Sequence, residues 1–189
     1  MLKVGGKTYL FGPDEELTNP KDTNAIRLVP SFPAFAFGYG HDPSTRYFIS
    51  KIESLDLTDK KVADIGCGSG ILSILISKQG VKELTSVENF NISLPITEKN
   101  FQINNVSPIF IKESYTVLEK ESFDIIFCNI YFDFRQTEEV KSIVKYLKID
   151  GIAYISSQSK DIEFENATIE ESDFIELDKC YVLKIKRIS

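Results

Sequence analysis

The stretch that decides the fold is VADIGCGSGIL, residues 62–72. An apolar run ends at Asp64, glycines follow at every second position from Gly66 to Gly70, and a new apolar run begins at Ile71. This pattern predicts a buried strand that turns sharply into a helix, because glycine adopts backbone angles that other residues avoid. In a doubly wound α/β sheet, the first turn of this kind lies at the crevice where ligands bind.

A second acidic residue follows the next predicted strand. Glu88 lies 22 residues after Gly66, where a carboxylate accepts hydrogen bonds from ribose hydroxyls. The glycine spacing is G-x-G-x-G rather than the G-x-G-x-x-G of dinucleotide-binding proteins, and Asp64 would repel a pyrophosphate. Its charge instead favours the cationic amino end of S-adenosylmethionine. The combination of these two acids with the glycine turn is typical of Rossmann-like methyltransferases.

Strand and helix patterns alternate along the chain from about residue 43 onward. Such alternation predicts a Rossmann-like α/β fold, a mostly parallel sheet with helices on both faces. A C-terminal hairpin would make the last strand antiparallel. Helices are predicted over residues 43–55, 71–78, 91–104 and 135–148, and strands over residues 61–65, 83–87, 108–111, 123–130, 152–156, 169–177 and 180–187.

The region before residue 36 is less regular. The pair Gly5-Gly6 lies between two apolar runs and predicts a small hairpin over residues 2–11, and residues 26–29 predict a short strand. Residues 12–35 hold four of the seven prolines, which is typical of an irregular segment. The expected division is a hairpin with an irregular lead-in over residues 1–35 and a methyltransferase catalytic domain over residues 36–189.

Composition excludes several classes of protein. The net charge of −6 argues against broad electrostatic binding to nucleic acid or to anionic membranes. No apolar run reaches the roughly 18 residues of a membrane span, and the N-terminus lacks the features of a signal peptide. The three cysteines have neither disulfide-framework nor zinc-ligand spacing, and His41 is the single histidine. We therefore expect a cytoplasmic protein with no metal site and no membrane partner.

Three segments resemble the bacterial methyltransferases that modify amino groups of a large-subunit ribosomal protein at the stalk base. AFGYGHDPST, residues 36–45, is similar to the family's AFGTGTHPTT, and SLDLTDKKVADIGCGSGIL, residues 54–72, also matches. CNI, residues 128–130, stands where the family has an apolar strand ending in Asn-Ile-Leu. The resemblance covers about residues 29–189 and implies a Rossmann-like fold, S-adenosylmethionine as cofactor and an amino group as methyl acceptor.

The resemblance also implies which residues bind the cofactor. Glu88 replaces the family's usual aspartate, and its carboxylate, one methylene longer, still reaches a ribose. His41 and Asp42 stand where the family has Thr-His, and Tyr131 replaces the leucine after Asn-Ile. Cofactor contacts are implied for Thr45, Gly66, Glu88 and Asn129, with Asp64, Gly68 and Gly38 nearby.

The resembled family carries a separate N-terminal domain that grips the ribosomal protein. This chain has only about 30 residues before the shared region. We therefore expect a catalytic domain without that module. The methyl acceptor stays open between an amino group of a protein and a small molecule.

Asn129 is the residue that we expect to act in catalysis. Methyl transfer from a sulfonium is an in-line displacement, in which the enzyme mainly aligns and desolvates the nucleophile. At the tip of a central strand, the side-chain oxygen of Asn129 would orient an amine, and the backbone carbonyl of Ile130 is a second candidate acceptor. The alternative is that Asn129 only satisfies nearby backbone groups.

Two features near residues 36–45 have competing interpretations. The aromatic side chains there, among them Phe35, Phe37 and Tyr39, either cover the cofactor or pack this segment onto the sheet. His41 is offset by one position from the family's histidine, which favours a solvated loop residue over a proton acceptor. Cys67, inside the glycine turn, is interpreted as a packing residue.

Other functions remain beside a protein N-methyltransferase. One is a small-molecule methyltransferase, and another is a noncatalytic S-adenosylmethionine-binding protein, which the joint presence of Asp64, Glu88 and Asn129 disfavours. A nucleic-acid methyltransferase is disfavoured by the acidic balance and by an Asn-Ile-Tyr sequence that lacks a proline pair. A nicotinamide oxidoreductase is disfavoured by the glycine spacing.

Overall fold

The computed structural model describes residues 2–7, 9–11, 25–29, 38–130 and 137–189 of the chain. None of the helices in these ranges is long and apolar enough to cross a membrane. The strands are β1 (Leu2–Lys3), β2 (Tyr9–Phe11), β3 (Ala25–Arg27), β4 (Lys61–Ile65), β5 (Glu83–Val87), β6 (Ile109–Ile111), β7 (Phe123–Cys128), β8 (Leu147–Ser157), β9 (Ala167–Ile175) and β10 (Cys180–Arg187). The helices are α1 (Pro43–Ser54), α2 (Ile71–Ser77), α3 (Leu94–Ile103) and α4 (Thr137–Ile143).

The main sheet has seven strands in the order β6-β5-β4-β7-β8-β10-β9. The pairs among β4 to β8 are parallel, whereas β10 runs antiparallel to both β8 and β9. The strand order reverses beside β4, which has β5 on one side and β7 on the other, and a doubly wound sheet opens a crevice at such a point. The predicted Rossmann-like α/β fold with a C-terminal antiparallel hairpin is confirmed.

Alternate residues of the central strands face opposite layers of helices. Val62 and Ile125 lie in one buried layer with α1, α2 and Phe101 of α3. Ala63 and Ile126 lie in the other layer, together with α4. Because both faces are covered, β7 carries a nearly continuous apolar run instead of an alternating pattern.

Among the predicted helices, the one over residues 135–148 differs most from the structure. The helix expected over residues 135–148 ends as α4 at Ile143, and a 3₁₀ turn over Val144–Tyr146 leads into β8. Val140, Ile143, Val144 and Leu147 have the apolar spacing of one helix face, and all four are buried. Leu147, however, is the first residue of β8 and pairs with Phe123 of β7. The apolar spacing therefore predicted correctly that Leu147 is buried, but pairing with β7 gives this residue a strand conformation instead of a helical one.

The N-terminal hairpin forms as predicted and packs on the helical layer. β1 pairs with β2 antiparallel, and β3 joins β2 in parallel to complete a three-stranded sheet. Val4, Leu10 and Ile26 lie in the same buried layer as α1 and α2. Most of the predicted irregular lead-in lies outside the described residues, and the division at residue 35 stays a prediction.

Candidate functional site

Three adjacent strands end at one level of the sheet. Ile65, the last residue of β4, pairs with Val87 of β5 and with Cys128 of β7. In each strand the next residue is therefore at the same edge, beside the reversal of strand order where doubly wound sheets bind ligands. Those next residues are three of the predicted site residues, Gly66, Glu88 and Asn129.

A cavity of about 730 Å³ opens at this edge of the sheet. Its volume lies within the range of small-molecule and cofactor sites. Asp64 is the one predicted site residue that does not line the cavity. The predicted site residues that do line it are Gly38, Thr45, Gly66, Gly68, Glu88 and Asn129.

The turn after β4 requires glycine for two reasons. Gly66 and Gly68 have φ angles of +73° and +53°, in the left-handed region that other residues rarely adopt. A Cβ atom on Gly66 would also collide with the side chain of Ile130. The turn is tied to β5, because the backbone amides of Gly66 and Cys67 both donate to the carbonyl of Val87, at 2.8 and 3.0 Å.

Glu88 presents a carboxylate that the backbone holds in place. Its Oε2 accepts a hydrogen bond of 2.9 Å from the amide of Gly68, and its Oε1 accepts one of 2.8 Å from the amide of Phe90. Each carboxylate oxygen can accept a further hydrogen bond. Glu88 is therefore a fixed double acceptor at the wall of the cavity, which suits neighbouring hydroxyl groups such as those of a ribose.

Asn129 is oriented by a side chain far away in the sequence. Its Nδ2 donates a hydrogen bond of 3.2 Å to Oγ1 of Thr45, a buried residue in the first turn of α1. The hydrogen bond turns Nδ2 of Asn129 toward Thr45, so that the carbonyl oxygen Oδ1 of the same amide group points away from Thr45. A carbonyl oxygen accepts hydrogen bonds from the N–H groups of an amine.

The backbone carbonyl of Ile130, the second candidate acceptor, already has a donor. Oγ of Ser156 donates to it at 2.5 Å from the neighbouring strand β8. One of the two acceptor positions of this carbonyl is therefore occupied, which leaves Asn129 as the stronger candidate for orienting a substrate. Reasoning from sequence missed Ser156; its only signal was its place at the end of a predicted strand.

Asp64 lies behind the glycine turn. Oγ of Ser73 donates to its Oδ2 at 2.6 Å, and the hydroxyls of Ser73 and Ser86 are 2.7 Å apart. Within the described part of the chain, Oδ1 of Asp64 is buried without a hydrogen-bond partner. Burial raises the pKa of this carboxyl to about 7. The expectation that Asp64 meets the amino end of the cofactor stays a prediction.

His41, Tyr39 and Cys67, the other residues that the sequence singled out near the site, have positions that do not point to a part in catalysis. His41 is exposed and does not line the cavity, consistent with a solvated loop residue. Tyr39 packs against the buried layer of α1 and α2, while Phe35 and Phe37 lie outside the described residues. Cys67 is buried, and burial raises the pKa of its thiol well above the usual range, as expected of a packing residue.

The C-terminal hairpin contributes a residue that reasoning from sequence did not place at the site. Asp178, in the turn between β9 and β10, lines the cavity, and its Oδ2 accepts a hydrogen bond of 2.7 Å from the amide of Ser44. The sequence indicated a turn there but not that this turn reaches α1. Across the described ranges, no group of three or more His, Cys, Asp or Glu side chains is placed to hold a metal ion.

The residues present fit S-adenosylmethionine. Glu88 offers fixed acceptors for ribose hydroxyls, and Ile71, Leu72 and Phe90 add apolar surface to the cavity, which a flat base would bury. The buried and unpartnered Oδ1 of Asp64, in the strand that leads into the glycine turn, is an acceptor for which the described residues supply no donor. The Glu88 acceptors and the apolar lining therefore suit the nucleoside part of this cofactor.

Comparison with known proteins gives a consistent result. Residues 2–175 match the family model described as ribosomal protein L11 methyltransferase (PrmA). A ribosomal protein L11 methyltransferase of Helicobacter pylori (strain J99) is 42% identical over 105 residues, which cover 53% of this chain and 32% of the relative. One of Prochlorococcus marinus (strain AS9601) is 33% identical over 138 residues, which cover 69% of this chain and 44% of the relative.

A solved structure has the same fold. The crystal structure of a ribosomal protein L11 methylase from Lactobacillus delbrueckii subsp. bulgaricus superposes with a TM-score of 0.78 and 23% sequence identity, covering 100% of this chain and 98% of that one. At this level of identity the likeness concerns the fold. The matched segments of the two curated relatives are less than half of those proteins' length.

Proposed function

Because the chain belongs to the PrmA family of ribosomal protein L11 methyltransferases, we propose that it transfers a methyl group from S-adenosylmethionine to an amino group of a protein. Membership rests on a family model that matches residues 2–175 of the 189 residues. The sequence predicted this class of S-adenosylmethionine-dependent enzymes from the glycine turn together with Asp64 and Glu88. The chain spans less than half the length of these curated relatives. The proposed reaction therefore has to be supported by the residues of the site.

The observation that carries the proposal is the pairing of Asn129 with Thr45 at the cavity wall. The bond fixes the amide group of Asn129 at the end of β7, one residue beyond the level at which β4 and β5 also end. A polar group held in this way is preorganised, because it need not reorient when a substrate arrives. This hydrogen bond supports the proposal that Asn129 directs a reacting group toward a ligand bound at Gly66 and Glu88.

Each residue has a defined task in the proposed reaction. S-Adenosylmethionine supplies, when bound, a methyl group activated by a sulfonium. Glu88 would hold the ribose hydroxyls, and the backbone at Gly66 and Gly68 would let the ligand lie close to the main chain. Oδ1 of Asn129 would accept an N–H hydrogen bond from the amine and so point the lone pair of its nitrogen along the line of displacement.

Asn129 accepts hydrogen bonds but takes up no proton. The amine must therefore reach the site in its neutral form, since a protonated amine has no lone pair to donate. We expect the transfer rate to rise with pH until the free amine predominates. The contribution of the protein is alignment and exclusion of water rather than acid–base chemistry, which suits a cavity in which His41 takes no part.

The names of the relatives suggest the methyl acceptor. Both curated relatives described above are ribosomal protein L11 methyltransferases. We accordingly propose ribosomal protein L11 as the first substrate to test. We also propose that the chain is located in the cytoplasm, where it would have access to a ribosomal protein. The alternatives are a small-molecule acceptor and a protein that binds S-adenosylmethionine without turnover.

The experiment is incubation of the purified chain with methyl-labelled S-adenosylmethionine and either purified ribosomal protein L11 or a cell lysate. Protein, RNA and small-molecule fractions are then separated. We expect label on protein amino groups and a strongly reduced but measurable transfer rate in Asn129→Ala, whereas Asn166→Ala, an exposed change in the same residue type, keeps the native rate. Label solely in RNA or solely in small molecules overturns the proposal, and cofactor binding without transfer favours the noncatalytic alternative.

A further inference from the structure

The first turn of α1 lacks a capping side chain of its own. Asp42 occupies the N-cap position but makes no side-chain capping hydrogen bond, and Pro43 follows it in the first turn. Backbone amides at the start of a helix have no partner within the helix and need one from outside. Proline has no N–H, so the amide of Ser44 is the first donor of this helix that must be satisfied.

Asp178 satisfies that donor from the opposite end of the chain. Its Oδ2 accepts the hydrogen bond of Ser44 at 2.7 Å across 134 residues, and both residues line the cavity. A carboxylate at this point also interacts favourably with the positive end of the helix dipole. The turn between β9 and β10 therefore supplies the cap that the N-cap residue of α1 does not provide.

This cap lies next to the residue that orients Asn129. Thr45 directly follows Ser44, is 1% exposed, and accepts the hydrogen bond of Asn129. A shift of the first turn of α1 would move Oγ1 of Thr45 with it and release the amide group of Asn129. The contacts thus run from Asp178 through Ser44 and Thr45 to Asn129.

We propose that Asp178 is a positioning residue of the transfer reaction, which holds Thr45, and through it Asn129, in the orientation that aligns the acceptor amine. The inference rests on the proposed function for the step that it aligns. The C-terminal hairpin is then part of the site and not only the last element of the sheet.

The same hairpin provides a matched control. Oδ2 of Asp173, in β9, accepts a hydrogen bond from the hydroxyl of Tyr47, further along α1, and also lies 3.9 Å from Nζ of Lys51. It therefore joins the same strand pair to the same helix without touching the first turn or the cavity. A role of Asp178 that is only structural should resemble the role of Asp173.

The first test needs no activity. Amide hydrogen exchange at Ser44 and Thr45 should become about tenfold faster in Asp178→Ala, the size of effect that loss of a helix cap produces. Asp178→Asn keeps an acceptor oxygen and should show a smaller change, and Asp173→Ala should leave these two amides as they are. Unchanged exchange in Asp178→Ala overturns the proposal.

The second test is a double-mutant cycle on the transfer rate to the protein acceptor. If Asp178 acts through Asn129, Asp178→Ala should lower the rate about tenfold in the native background and much less in an Asn129→Ala background, since coupled residues are not additive. Asp173→Ala should combine additively with Asn129→Ala. Additive behaviour of Asp178 overturns the inference. If the native protein transfers no methyl group at all, the proposed function fails, while the exchange experiment still decides the role of Asp178.

Discussion

Asn129 and Thr45 are joined by a hydrogen bond of 3.2 Å across 84 positions of the sequence. The bond links the end of β7, in the middle of the sheet, to the first turn of α1 in the helical layer. Neither residue is placed by its neighbours in sequence alone. Their pairing makes the orientation of one amide group depend on the packing of two distant elements, and several consequences can be measured.

The first prediction concerns the hydroxyl of Thr45. Thr45→Val preserves the shape of a buried side chain but removes the acceptor for Nδ2 of Asn129, whereas Thr45→Ser keeps it. We expect Thr45→Val to lower the transfer rate by about one order of magnitude, the scale of one lost hydrogen bond. Steady-state rates with labelled cofactor would measure this. Equal rates in the two variants would contradict a role for the hydroxyl.

The second prediction separates two reasons for glycine at position 66. Gly66→Ala places a Cβ against Ile130 at a φ of +73°, whereas Gly80→Ala has the same φ and meets only Oγ1 of Thr58, at 3.9 Å. In both variants an alanine must adopt the left-handed backbone conformation, which costs roughly 1–2 kcal/mol of unfolding free energy. We expect Gly66→Ala to lose a further 1–3 kcal/mol, roughly, of unfolding free energy through overpacking.

Urea denaturation of both glycine variants measures these free energies. The variant pair Gly66→Ala with Ile130→Ala should recover part of the additional loss, because the colliding side chain is shortened. Equal losses at positions 66 and 80 would show that the contact with Ile130 has no influence.

Fully buried parallel strands were the elements that sequence located best. β4 and β5 begin and end where their apolar runs predicted, because a strand covered on both faces is bounded by polar and glycine residues. The residues after these strands, Gly66 and Glu88, were therefore predicted directly as candidate site residues, and both line the cavity. The end of the helix predicted over residues 135–148 was wrong, since apolar spacing cannot distinguish a last helical turn from the buried start of β8.

Contacts that depend on strand order could not be read from the sequence. Ser156 and Asp178 reach the site because β8 lies beside β7 and because the β9–β10 turn folds over α1. Neither residue belongs to a local motif, and a turn residue such as Asp178 gives no sign of which element it contacts. Long-range packing of this kind is decided by the whole sheet.

The third prediction concerns the carboxylate of Glu88. Glu88→Gln keeps the size of the side chain but replaces one charged acceptor oxygen with a donor, which cannot accept from Gly68 or Phe90. We expect the dissociation constant for S-adenosylhomocysteine to rise by roughly tenfold or more, since hydrogen bonds to charged groups are the stronger ones. Glu83→Gln, at the other end of β5, is the control and should bind like the native protein. Calorimetric titration measures both constants, and unchanged binding in Glu88→Gln would argue against the ribose contact.

The fourth prediction concerns the attachment of the N-terminal sheet. Asn100 of α3 is fully buried; its Nδ2 donates to the carbonyl of Ser69 and its Oδ1 accepts from the amide of Val29, each at 2.8 Å. Asn100→Ala leaves both backbone groups without this partner, so we expect it to lose about 2 kcal/mol or more of unfolding free energy and to speed amide exchange at Val29. Gln102→Ala, on the exposed side of α3, is the control and should change little. Slow exchange at Val29 in the Asn100 variant would show that β3 is held by other contacts.

The fifth prediction concerns the buried carboxyl of Asp64. Burial raises its pKa to about 7 in the folded protein, so the folded state keeps a proton that the unfolded chain has already released at lower pH. This group therefore lowers the free energy of unfolding as pH rises from the ordinary carboxyl range to about 7. The expected slope is about 1.4 kcal/mol per pH unit over that window, and it vanishes above the folded pKa.

Asp64→Asn removes this titration and can still accept the hydrogen bond of Ser73 through its carbonyl oxygen. Relative to the native protein, the variant should therefore gain unfolding free energy as pH rises from about 4 to about 7 and then keep a constant difference. Denaturant unfolding at half-unit pH steps measures the difference, and Asp161→Asn at an exposed position supplies the reference. If the curves of Asp64→Asn and the native protein run parallel through this window, Asp64 is ionised in both the folded and the unfolded state, and its burial does not control its proton.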